Sequence, residues 1–180
     1  MIETERLIFR KFVPGDLPWL IEMRSDPDVS RYLGGTRMQN PEALAKRIEF
    51  YMSCYDRFGF GSCVMIWKPT GEAIGSAGLQ PLEESGEIEV GYNMSKAFWG
   101  KGIGTEAARG WLDHGFGPGG LERIVAIAIP ENKASTHIME KLGMTYEKTE
   151  DHYGSQCAFY AVSRERYLEL FPAQMSEPPA

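Results

Sequence analysis

The chain is poor in the residues from which redox and metal chemistry are built. Its 180 residues hold only three cysteines and three histidines. Cys54, Cys63 and Cys157 cannot all pair and form no CxxC spacing, so they are read as reduced, partly buried thiols of a cytoplasmic protein. No His/Cys pair has zinc-like spacing, so no metal is expected. His114, His137 and His152 are read as structural or surface residues. No run approaches 18 consecutive apolar residues, which excludes a transmembrane helix. Met1-Ile2-Glu3-Thr4-Glu5-Arg6 has neither a basic nor an apolar segment of a secretory signal, so none is expected there. Basic charge is also scarce. The 19 Lys+Arg face 25 Asp+Glu, a net charge of −6. That balance argues against binding phosphate backbones, and so against nucleic acid as a partner. Arg6, Arg10 and Lys11 form the one basic cluster near the start, on a strand without an aromatic platform.

What is present is an ordinary globular composition, 43% hydrophobic and 24% charged, which excludes wholesale disorder. One domain over residues 1–171 is expected, followed by a Pro-rich tail at 172–180 that should fray. Arg6–Phe12 reads as a strand with Leu7 and Phe9 on one face. Pro14-Gly15-Asp16 starts a helix that Ser25-Asp26-Pro27 stops, and Gly34-Gly35 marks a loop. Asn40-Pro41 predicts a capped helix to about Phe58. Strands follow at Ser62–Lys68, Ala73–Leu79 and Glu87–Met94. In the last, Ile88, Val90 and Tyr92 share one face. Glu87, Glu89, Gly91 and Asn93 share the other, unless a bulge at Gly91 resets the alternation. A helix over Gly104–Phe116 precedes Arg123–Ile129, an apolar run fit for a strand buried on both faces. Asn132 caps a helix through Leu142. Two strands, near Met144–Lys148 and Gln156–Val162, and a helix capped by Ser163 complete the chain. Trp19, Trp67 and Trp111 are expected in the core. The sum is an α/β (α+β) chain with a mixed, mostly antiparallel sheet.

The segment Glu89–Ala107 carries the chemical signal: a strand, a Gly-rich loop, then a helix N-terminus. Gly100, Gly102 and Gly104 leave backbone amides bare of Cβ atoms. The helix dipole and its free N–H groups favour an anion there, so the segment suits a phosphate or pyrophosphate. Lys101 adds a positive charge. The spacing is neither that of a Walker A loop nor that of a dinucleotide fingerprint. The alternating glycines are equally consistent with a tight turn and close helix packing.

Trp99-Gly-Lys-Gly-Ile-Gly-Thr-Glu-Ala107, after Glu89-Val-Gly-Tyr92, resembles the acyl-CoA loop of the GNAT superfamily of N-acetyltransferases. It is most similar to the branch that acetylates ribosomal-protein N-termini (Rim-type). Thr4–Arg10, Ile129–Ser135 and Glu140–Met144 resemble further motifs of that branch, in order and at family spacing. The resemblance implies one α/β domain of about seven strands, splayed between the fourth and fifth and flanked by about four helices. Acetyl-CoA would lie in the splay. Carried over by position, the amides of Gly100, Lys101, Gly102, Ile103, Gly104 and Thr105 bind the pyrophosphate, with Trp99 opening the loop. The backbone of Tyr92, Asn93 and Met94 pairs with the pantetheine arm, Asn132 bonds the pantetheine amides, and Ser135 lies near the sulfur.

Acetyl transfer to an amine needs a base, an oxyanion donor and a proton for the leaving thiolate, and no covalent enzyme intermediate. Glu89 is the candidate base, directly or through a water, with Glu87 as fallback; an ordinary solvated strand residue is the alternative. Ser135 is the candidate acid, and could instead bond its own helix backbone. Tyr92 is a second candidate acid, and could instead be a core aromatic. A backbone amide of Tyr92–Met94 is the expected oxyanion donor. The acceptor would be the N-terminal amine of a protein, or a small amine such as a polyamine, amino sugar or antibiotic. A non-catalytic acyl-CoA-binding module is the other functional class. The family often dimerises, which leaves a homodimer open. Residues 69–95 hold Glu72, Glu83, Glu84, Glu87 and Glu89 and no Lys or Arg. Nearly all of the net charge therefore leads into the proposed cleft, where it would draw a cationic acceptor.

Overall fold

The computed structural model describes residues 2–33, 40–83 and 85–172. The expected Gly34-Gly35 loop, Glu84 of the acidic turn and residues 173–180 of the expected tail lie outside them. Eight strands form one sheet: β1 (Ile2–Glu3), β2 (Leu7–Lys11), β3 (Ser62–Trp67), β4 (Glu72–Pro81), β5 (Ile88–Met94), β6 (Arg123–Ala128), β7 (Thr145–His152) and β8 (Ser155–Ser163). Their order is β1-β2-β3-β4-β5-β6-β8-β7. Every pairing is antiparallel except β5 with β6, which is parallel. The helices are α1 (Leu17–Ser25), α2 (Pro27–Ser30), α3 (Pro41–Phe58), α4 (Ile103–Phe116), α5 (Lys133–Lys141) and α6 (Arg164–Leu170).

Local chemistry sets these boundaries. The Asn40 side chain accepts from Ala43 N at 2.8 Å to start α3, and Gly59 ends it at φ +76°. Asn132 and Ser163 cap α5 and α6 in the same way. Capping satisfies amides that the helix itself cannot, worth about 1 kcal/mol each. Asp26-Pro27 stops α1 as expected, but also caps and opens the four-residue α2, with Asp26 accepting from Asp28 N.

The sheet is covered on both faces. On one lie α4 and α5, with Ile103, Ala107, Trp111, Leu112 and Phe116 packed on Leu7, Phe9, Leu79, Val90 and Ile124. On the other, α1 and α3 bring Leu20, Met23, Leu44, Ile48 and Tyr51 against Phe12 and Val64. Of the tryptophans expected in the core, only Trp111 is fully buried; Trp19 and Trp67 are half-buried at its margin. There the Trp19 indole N–H donates to the Ala73 carbonyl at 3.1 Å, which satisfies the polar end of the ring. The three cysteines are buried and unpaired. No helix among the described residues is long and apolar enough to cross a membrane.

Candidate active site

Strands β5 and β6 share a single rung, Glu89 opposite Val125. Beyond it β5 continues to Met94 on the β4 side only, so the sheet parts there. From Gly91 to Met94 the backbone edge that faces the gap has no strand partner among the described residues. Strand pairing to β4 runs without a register shift through Gly78 opposite Gly91. Alternation along β5 therefore holds, and Glu89 and Tyr92 point to opposite faces.

After β5 a 3-10 turn at Lys96–Phe98 leads into the glycine loop. Gly100 and Gly102 have φ of +71° and +76°, a left-handed backbone that glycine adopts without strain. Gly102 is the N-cap of α4, and the helix makes its first bond from Glu106 N to Gly102 O. The amides of Ile103, Gly104 and Thr105 thus precede any intrahelical acceptor. Arg6 pins the loop: its guanidinium donates to Lys101 O at 3.0 Å and to Glu106 Oε2 at 2.6 Å. Glu106 also accepts from the Thr4 hydroxyl and the Arg6 amide. A Cβ on Gly104 would sit 3.0 Å from Ile138 and 3.3 Å from Met94, so this glycine lets α4 approach α5 and β5. The Ile103 side chain is buried in the core and Met94 packs beside Gly104, which leaves their amides for binding. Trp99 is 45% exposed and donates from Nε1 to Met94 O. Lys101 Nζ lies 5.4 Å over the Phe98 ring. Open amides, a rigid left-handed turn and an unpaired strand edge fit the pyrophosphate and pantetheine parts of acetyl-CoA.

Tyr92 faces α5. Its hydroxyl lies 3.1 Å from Ser135 Oγ and donates to Ser135 O at 3.2 Å. Burial pushes the phenol up to about 12, against the hydrogen bond with Ser135. It therefore holds its proton at neutral pH. Asn132 Oδ1 accepts from the Ser135 amide at 3.2 Å, fixing Ser135 in the first turn of α5. Tyr92, Asn132 and Ser135 all line the cleft.

Glu89 faces the α1 and α3 side. It is only 5% exposed, not the solvated strand residue that was the alternative reading. Register explains this: Gln80 on β4 stands opposite it, and Gln80 Nε2 donates to Glu89 Oε1. Tyr153 donates to the same oxygen at 3.2 Å. Burial raises the Glu89 pKa above the usual carboxylate range, and these two hydrogen bonds with the charges of Arg47 and His152 offset only part of that rise. Glu87, the fallback, faces Arg123 at 3.3 Å outside the cleft lining. Of the two readings of His152, structural or surface, the structural one holds. The side chain is buried at the cleft wall, bonded through Nδ1 to Glu83 at 2.7 Å and through Nε2 to Glu150 at 2.9 Å.

The cleft joins both faces through the gap and has a volume of about 190 Å3. Its lining also includes Arg24 of α1 and Arg47 and Tyr51 of α3, none of which the sequence singled out. The acidic run does not act as one field. Glu83 is bonded to His152 and Glu87 to Arg123, Glu89 is buried, and Glu72 sits at the far end of β4.

Residues 6–145 match the Acetyltransferase (GNAT) domain. The chain is 32% identical over 145 residues to the uncharacterized N-acetyltransferase p20 of Bacillus licheniformis, covering 80% of this chain and 82% of that one. A solved GNAT-family acetyltransferase from Bacillus anthracis superposes with a TM-score of 0.76 at 27% identity, over 91% of this chain and 98% of that one. Two more distant structures, each 18% identical, share the fold. A ribosomal L7/L12 alpha-N-protein acetyltransferase in complex with coenzyme A has a TM-score of 0.74 over 89% of this chain and 95% of that one. Spermidine N-acetyltransferase from Vibrio cholerae, in complex with CoA and spermine, has a TM-score of 0.73 over 91% of this chain and 98% of that one. The chain belongs to the GNAT acetyltransferases. It is an N-acetyltransferase that uses acetyl-CoA.

Proposed function

We propose that this chain transfers the acetyl group by direct attack of a small amine, with Glu89 as the base that receives the ammonium proton. The observation that carries this is the placement of a buried carboxylate of raised pKa at the last rung before the sheet parts. A base is most effective when its pKa approaches the working pH, and burial moves Glu89 that way. Acetyl-CoA supplies the acyl group as an activated thioester. Tyr92 Oη, bonded to Ser135 Oγ, holds a proton on the opposite face, where a departing thiolate would need one. The unpaired amides of the Tyr92–Met94 edge are aligned to stabilise an oxyanion. The amides of Gly100–Thr105 hold the pyrophosphate, and Asn132 orients Ser135 beside the pantetheine path.

The Rim-type likeness favours a protein N-terminus as acceptor. The Arg24 and Arg47 side chains that line the cleft support a small amine instead, since a peptide N-terminus carries no carboxylate of its own next to the amine. The test is thioester consumption over a panel of small amines and peptides, beside a thermal-shift titration with acetyl-CoA. Turnover with small amines and a cofactor-dependent rise in Tm are expected. No shift at millimolar acetyl-CoA would sink the cofactor site. A shift without turnover on any amine would make the chain a binding module.

A further inference from the structure

Arg24 is an anomaly in the molecule. It lies in the last turn of α1, 8% exposed, and lines the cleft. Its Nε is buried with no hydrogen-bond partner. Among the described residues, no carboxylate or carbonyl is bonded to its guanidinium. Burial lowers the Arg24 pKa, Tyr51 opposes that in part, and the like charge of Arg47 lowers it further. A buried guanidinium normally has an anionic partner, because desolvating it alone costs several kcal/mol. The negative end of the α1 dipole offsets only a little of that cost.

Arg47 adds a second cation to the same wall. Its guanidinium carbon is 6.0 Å from the Tyr51 ring centroid and 5.6 Å from that of Tyr153. The β5 side of the cleft presents hydrogen-bond acceptors. Glu89 stands there, and the buried Asn93 Oδ1 has no partner of its own. The cleft is thus bipolar, with cations on α1 and α3 and acceptors on β5. The other titratable groups of the lining, Tyr32, Tyr51, Tyr92, His152, Tyr153 and Cys157, include no carboxylate; His152 is bonded to Glu83 and Glu150, Tyr153 to Glu89 and Tyr92 to Ser135, so none of them supplies Arg24 with an anion.

We propose that Arg24 and Arg47 form an oxyanion subsite of the acceptor cleft, and that the acceptor is a small amine that also carries a carboxylate or phosphate. Its ammonium sits against Glu89 and Asn93 Oδ1, while its anionic group takes the guanidinium N–H groups that the fold leaves unused. This deepens the acceptor reading above and rests on it.

The experiment compares acceptors that differ only in the anion, using the full chain and acetyl-CoA. L-phenylalanine is set against 2-phenylethylamine, L-methionine against 3-(methylthio)propylamine, and phosphoethanolamine against ethanolamine. The first two pairs test a carboxylate, the third a phosphate. In at least one pair the anionic acceptor should have the higher kcat/KM, by about 10- to 100-fold for charge-assisted hydrogen bonds. Arg24→Met should erase that preference by raising KM for the anionic member. Arg24→Lys should restore part of it. Without ligand, Arg24→Met should melt no lower than wild type, since it removes an uncompensated buried charge. A binding arm separates this idea from the activity itself. With CoA present, N-acetyl-L-phenylalanine should bind more tightly than N-acetyl-2-phenylethylamine, and Arg24→Met should lose the difference. Peptides consumed in preference to every small anionic amine would overturn the proposal. So would neutral-tailed amines used as well as their anionic counterparts, or an Arg24→Met variant that melts lower with its preference intact. If no amine is consumed, the acetyltransfer reading fails and the binding arm still decides the subsite.

Discussion

Two glycines with the same backbone conformation separate strain from ligand binding. Gly102 and Gly59 both have φ of +76°, and each caps a helix. Alanine at either position must adopt the left-handed region, at about 1–2 kcal/mol. Neither new Cβ would clash: Gly59 has open space, and the nearest atom to Gly102 is Arg6 Nη2 at 3.6 Å. For a chain of this size each kcal/mol shifts Tm by about 2–4 °C. Gly59→Ala and Gly102→Ala should therefore both melt about 2–8 °C below wild type. Only Gly102→Ala places a methyl in the loop whose amides are proposed to hold the pyrophosphate. Losing or misaligning one charge-assisted hydrogen bond costs about 1.5–3 kcal/mol, so its acetyl-CoA Kd should rise about 10- to 100-fold. Calorimetric titration with acetyl-CoA, beside thermal melts of the apo variants, reads both quantities. Acetyl-CoA affinity unchanged from wild type in both variants would refute the placement of the cofactor on this loop. Equal loss in both would show that the effect is global instability.

Glu89→Gln should lower turnover by about 10²- to 10⁴-fold with little change in acetyl-CoA affinity, as steady-state kinetics would show. Because burial raises the Glu89 pKa in the fold, its contribution to stability is present at low pH and is lost as pH rises through that value. Glu89→Gln should therefore melt above wild type at neutral pH, and the gap should close in acid. Tyr92→Phe should reduce kcat more than Ser135→Ala if the phenol gives up the proton; the reverse order in single-turnover rates would transfer that role to Ser135. Burial opposes the charged form of His152, but Glu83 and Glu150 outweigh it and raise its pKa. Its contribution to stability is thus present below the ordinary value of 6.5 and lost as pH rises through the raised one. His152→Gln should flatten melting curves measured across that window, and an unchanged slope would place the titration elsewhere.

The fold was legible where local chemistry sets an element. Asn40-Pro41 and Gly59 bound α3, and the apolar run Arg123–Ala128 is a central strand. Strand β7 runs to His152, well past the expected end near Lys148, because its polar, exposed residues carry no apolar alternation and only pairing with β8 defines it. The two-residue β1 offers no pattern at all. The cofactor side of the site was legible for the same reason as α3: strand, glycine loop and helix start are contiguous. The acceptor side was not. Glu89 was singled out, but Arg24, Arg47, Gln80, His152 and Tyr153, which surround it in the cleft, come from separate elements. Of these contacts only Gln80 opposite Glu89 had a local signal, the hairpin register of β4 and β5.

The proposed binding of the cofactor by bare amides and an unpaired strand edge has an evolutionary consequence. Main-chain groups are identical at every residue, so this half of the cleft constrains the sequence mainly to keep side chains away. The proposed acceptor wall on α1 and α3 is written in side chains, on helices that pack on the face of the sheet opposite α4. A lineage could therefore exchange Arg24 or Arg47, and with them the molecule that is acetylated, without disturbing the donor. Such a division lets one scaffold diversify its acceptors while its acyl donor stays the same.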